Sequence, residues 1–151
     1  MKKTILICSF LLMITGAATS FAQTNPKEFK GAKAALKNYK ALYVLNSGDE
    51  KKITSTLRNM KNALEDPRLK GKLTLELIVF GDGVAVYDKK GAFEKTLKDL
   101  QARGVLLAQC ENTIKERHIE KNSLFDFISY VPTGNGEIII RDYQGWAVVH
   151  P

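Results

Sequence analysis

The chain has 151 residues, 44% of them hydrophobic, with 23 basic against 16 acidic side chains. That supports one core of ordinary size without disulfide staples, and the mild basic excess with no recurring aromatic-basic motif argues against a nucleic-acid partner. No internal repeat, low-complexity tract or second domain is visible, which excludes solenoids and arrays.

A three-part secretory leader comes first. Lys2 and Lys3 precede an apolar core from Ile5 to about Gly16, and Ser20-Phe21-Ala22 supplies the small-residue exit. Residues 1–22 are therefore expected to be cleaved before Gln23, placing the protein in a periplasm or outside the cell. The apolar run is shorter than the roughly 20 residues a spanning helix needs, and Cys8 lies inside it, so no membrane anchor or lipid attachment is expected. Loss of Lys2 and Lys3 leaves 21 basic residues against 16 acidic. Much of that excess is Lys27, Lys30, Lys33, Lys37 and Lys40, in and beside a basic segment over residues 23–38. These lysines alternate with Phe29, Ala32, Leu36 and Tyr39 at helical spacing and read as a solvated face or tether.

Export also removes Cys8 and leaves Cys110 as the sole thiol. In an oxidising compartment an odd cysteine is buried and inert, bridged to another chain, or used chemically.

The domain proper, residues 39–151, begins with the β-favouring run Lys40–Leu45 and a turn, Asn46-Ser47-Gly48-Asp49-Glu50. Ser47 with Glu50 fits a capping box, and Ile53, Leu57, Met60 and Leu64 form one helical stripe that Asp66-Pro67 ends. Leu73–Phe80 is a second strand, apolar on both faces at its end, closed by Gly81-Asp82-Gly83. After the short segment Val84–Tyr87, Phe93, Leu97 and Leu100 mark a second helix with Arg103-Gly104 as its stop. Val105–Gln109 is a third strand. Cys110 then opens a polar stretch, Glu111–Asn122, with a weaker helical pattern. Phe127–Val131 reads as a fourth strand ended by Pro132-Thr133-Gly134. Glu137–Gln144 suits a strand by its three consecutive isoleucines and a helix by its length and the following Gly145. Trp146–His150 is the last strand. Alternation of this kind implies a parallel sheet with helices on both faces.

Four landmarks resemble the DsrE/DsrF family of small sulfur-relay proteins, in an exported form. They are Gly81-Asp82-Gly83-Val84 after an apolar strand, Gly104-Val105 leading to Cys110-Glu111-Asn112-Thr113, Val131-Pro132-Thr133-Gly134, and Gln144-Gly145-Trp146 running to His150-Pro151. The resemblance implies an α/β fold: a three-layer α/β/α sandwich with a mainly parallel five-stranded sheet, in a single domain that assembles as a homo-oligomer, a trimer or hexamer. It also implies that Glu137–Gln144 is helical, and that Cys110 occupies the position of a cysteine that in some members accepts sulfane sulfur from a donor protein and passes it to an acceptor. Many relatives carry histidine where this chain has Phe80.

Sulfur relay needs a reachable thiolate. Helix N-terminal amides lower a thiol pKa, so the amides after Cys110 and the side chains of Asn112 and Thr113 are candidate donors; Glu111 opposes them if its carboxylate points inward. In a parallel sheet the loops holding Asn46, Ser47 and Gly48, and Gly81, Asp82 and Gly83, lie on the same edge as Cys110 and are candidate pocket walls. Ser47 also reads as an N-cap and Asp82 as a turn former. These loops match neither phosphate-binding fingerprint, and His118 and His150 stand at no ligand spacing, so no cofactor or metal is expected. The alternative is a non-catalytic oligomeric binding module in which Cys110 is a packed core thiol.

Overall fold

The computed structural model describes residues 28–151. The expected secretory leader and the start of the expected basic segment lie outside the described residues. The chain divides into two units at residues 32 and 33, and the described part of the first, residues 28–32, holds no helix or strand.

In the second unit five strands form one sheet: β1 (Tyr39–Leu45), β2 (Leu73–Val79), β3 (Leu106–Cys110), β4 (Ser129–Val131) and β5 (Ala147–Val149). Their spatial order is β4-β3-β2-β1-β5, and every strand pair is parallel. Four helices connect them: α1 (Glu50–Glu65), α2 (Glu94–Ala102), α3 (Glu111–Glu116) and α4 (Gly134–Tyr143). The path from β1 to β4 steps in one direction across the sheet and then doubles back to β5. Right-handed crossovers therefore put α1 to α3 on one face and α4 alone on the other. The packing follows this division. Ile53, Leu57 and Met60 of α1, Leu97 and Leu100 of α2 and Ile114 of α3 share a core with Ala41, Tyr43, Leu45, Leu75, Leu77 and Val79, whereas Ile138 of α4 packs with Leu42, Val44, Ile78, Ala108 and Trp146. This is the three-layer α/β sandwich expected from the sequence.

Several local details differ from expectation. The cap of α1 is Asp49, whose carboxylate accepts from Lys52 N at 2.8 Å, while Ser47 Oγ accepts from Asp49 N at 3.2 Å. The capping box thus gives way to an aspartate cap two residues later. Gly81–Tyr87, which covers the glycine turn and the short segment after it, winds into a 3-10 helix. The polar stretch after Cys110 stays helical only to Glu116, because His118 adopts a left-handed φ of 51°. The isoleucine run is helical, as the family resemblance implies, and α4 starts at Gly134, where the Thr133 hydroxyl caps Gly136 N at 2.8 Å.

Candidate functional site

Cys110 ends β3 and stands at the N-cap position of α3, so its side chain sits where a strand's carboxyl edge meets fresh helix amides. In the sheet register Cys110 pairs with Val131, while Glu76, Ile78 and Ala108 share its face, which is the face covered by α4. Because α4 runs back over that face, its first residue lies over the same sheet edge. Gly134 makes this approach possible: a Cβ there would stand 2.7 Å from Phe80 Cδ1.

The thiol is 5% exposed and forms part of the lining of a cavity of about 230 Å³. Burial pushes the Cys110 thiol up, but hydrogen bonds from the Thr113 amide and hydroxyl, the Gly134 amide and the Asn112 amide outweigh it, and the net effect lowers the pKa below its ordinary value. The Thr113 hydroxyl in turn accepts from Gly81 N at 3.0 Å. Phe80 and Thr133 form apolar and polar parts of the wall, and Glu116, Arg117 and Asn135 complete the rim.

The residues singled out from sequence fall into separate places. Gly81, Asn112 and Thr113 line the cavity with Cys110. Gly48 and Asp82 instead line a neighbouring cavity of about 700 Å³. Arg117 borders both, and its ion pair with Asp82 at 2.5 Å stands between them. The Glu111 carboxylate is occupied by Lys121 at 2.8 Å, which holds it below the usual carboxylate range. Gly83 has a packing role: a Cβ there would lie 2.3 Å from the Leu45 carbonyl oxygen. Asn46 is exposed and offers its carbonyl beside Gly81, and Ser47 Oγ accepts from Asp49 N within its own turn. Sequence reasoning missed Glu116, Arg117, Thr133, Gly134 and Asn135 as neighbours of the thiol. The Pro132-Thr133-Gly134 landmark was the available signal, since a threonine before a glycine-rich start also reads as an N-cap.

Chemically, the arrangement stabilises an anion on sulfur with uncharged donors. Among the described residues no group of three or more His, Cys, Asp and Glu side chains could hold a metal ion. His118 and His150 are exposed.

Fold and site together define an α/β sandwich with a thiol cradled by amides at the edge of a parallel sheet. The profile of the DsrE/DsrF-like family matches residues 39–151, and the chain belongs to that family. No curated protein matches it. Among solved structures it is similar to MTH1491, a protein of unknown function from Methanobacterium thermoautotrophicum, at TM-score 0.70 and 23% identity over 76% of this chain and 100% of that one. It is also similar to the ychN protein from E. coli, at TM-score 0.59 and 19% identity over 75% of this chain and 99% of that one. At these identities the likeness is one of fold.

Proposed function

We propose that the protein is an exported sulfur carrier that uses Cys110 as its acceptor. The Cys110 thiolate attacks the outer sulfur of a persulfide, R-S-SH. The new bond is between the two sulfurs, the leaving group is the thiolate RS⁻, and the product is Cys110-S-SH, which ionises readily and passes its outer sulfur to an acceptor thiolate by the same exchange. The observation that carries this reading is the set of four hydrogen-bond donors around a sulfur that opens on a cavity. No general base is needed, because the cradle favours the attacking anion directly. The leader at residues 1–22 supports delivery to a periplasm or the exterior.

The test is intact mass after exposure to polysulfide. Sulfur should add at Cys110 and leave on reduction, and Cys110→Ala should stay unmodified. Wild-type protein that gains no sulfur overturns the carrier reading.

One observation favours the binding-module alternative: the thiol is nearly enclosed, with Phe80 against the helix that covers it. In that case Cys110→Ala preserves assembly and every ligand interaction. Both readings include a homo-oligomer, supported by Ile139, Ile140 and Tyr143, which α4 leaves 58%, 53% and 88% exposed. Light scattering of wild type and Tyr143→Asp tests it; a monomeric wild type removes the assembly.

A further inference from the structure

Glu76 is the least expected residue in the sheet. It lies at the middle of β2 on the face under α4, and its row across the sheet is otherwise Val148, Leu42 and Leu106. At 1% exposure its carboxylate is out of water, where an unpaired charge is costly. Arg141 of α4 meets it at 2.6 Å, also contacts Glu137 at 2.8 Å, and lies 4.3 Å over the Trp146 ring. Packing alone does not call for this arrangement, because an aliphatic side chain in that row serves as well and buried ion pairs seldom add net stability. Their best-attested use is to fix one register among several.

The register in question is that of α4. Arg141 stands seven residues after Gly134, two turns on, so both lie on nearly the same helix face about 10 Å apart. Along the sheet, Glu76 pairs with Leu106, four residues before Cys110, a separation of about 13 Å. The arginine side chain spans the difference. We propose that Glu76 and Arg141 are positioning residues for the thiol: their ion pair anchors the far end of α4 on β2, so that the helix delivers its Gly134 amide to Cys110 Sγ. The near end is fixed by the contact of Gly134 with the Phe80 ring, which leaves no room for even a methyl group. The inference rests on Cys110 being a functional thiolate.

The test is the pH profile of Cys110 alkylation by iodoacetamide in Glu76→Gln/Arg141→Met. The double variant removes both charges of the pair but leaves Glu137, 16% exposed, without Arg141, so a cooperative melt is the first measurement on it. Its alkylation midpoint should rise by about half a pH unit, the size of one helix-terminus interaction, with reaction at lower pH slowed about threefold. Arg141→Lys keeps the charge without the planar fork and should shift the midpoint less. Should the double variant fail to fold, Glu76→Gln alone is read in the same way. Met60→Ala loosens the opposite face and should leave the midpoint in place. Charged groups on the cavity rim, Glu116 and Arg117, are unchanged in every variant. A wild-type midpoint at the ordinary thiol value overturns the reading of Cys110 itself. A lowered midpoint that survives in the folded double variant, or that Met60→Ala raises equally, overturns the positioning role alone.

Discussion

The Thr113 hydroxyl accepts the Gly81 amide proton at 3.0 Å and has its own proton for Cys110, so the turn after β2 and the last residue of β3 are joined through one side chain. Gly81 reaches this position with a left-handed φ of 56°, which a side chain would strain. Thr113→Val should raise the alkylation midpoint of Cys110. It should also cost about 1–3 kcal/mol in urea unfolding, because the Gly81 N–H is left unpaired. A midpoint that does not move would show that the amides alone hold the anion.

Gly134 and Phe80 form a tight contact at the head of α4. Gly134→Ala forces a methyl group into the ring and should destabilise by about 1–3 kcal/mol. Phe80→Ala in the same chain should recover much of that loss, and a double-mutant cycle in urea measures the coupling. Additive losses would mean that the ring moves aside freely.

Arg117 and Asp82 pair at 2.5 Å between the two cavities, with side chains 44% and 69% exposed. Arg117→Ala should therefore change stability by less than about 1 kcal/mol. It should nonetheless speed reaction of Cys110 with a bulky maleimide, while iodoacetamide, already small enough to enter, gains little. Equal acceleration of both reagents would place the barrier elsewhere.

Burial raises the Glu76 carboxyl above its usual range despite Arg141 and with Glu137 nearby. A carboxyl whose folded pKa lies above its unfolded value binds more protons in the native state, so its contribution to stability falls as pH rises through the range above 4.5. Relative to Glu76→Gln, wild type should thus lose ground as pH rises above 4.5, as urea midpoints of the two proteins compare at each pH. The opposite trend would show that Arg141 more than repays the desolvation.

The helices α1 and α2 were legible from one periodic buried stripe each, and β1, β2 and β3 from short apolar runs that the sheet buries on both faces. Alone on its face, α4 was not legible from its residues. Ile139 and Ile140 point outward, so its isoleucines mark no buried stripe; length and Gly145 allowed a helix beside a strand, and the family resemblance decided between them. Cys110 drew attention as the one cysteine outside the expected leader, and Thr113, Asn112 and Gly81 followed from the loop edge. Arg117 and Gly134 did not, since they arrive from a helix end and a turn that the fold brings over the sulfur. Glu76 is one polar residue within the Leu73–Phe80 run, and its partner lies far along the chain at Arg141.

The donors that hold the sulfur come from two distant stretches of polypeptide, the starts of α3 and α4. Whatever is loaded there acts on both at once. A negatively charged cargo should stitch these segments together and raise the temperature of heat denaturation, whereas a neutral alkyl group of similar bulk should wedge them apart and lower it. Calorimetry on persulfidated and methylated protein would thus report on occupancy without any turnover assay.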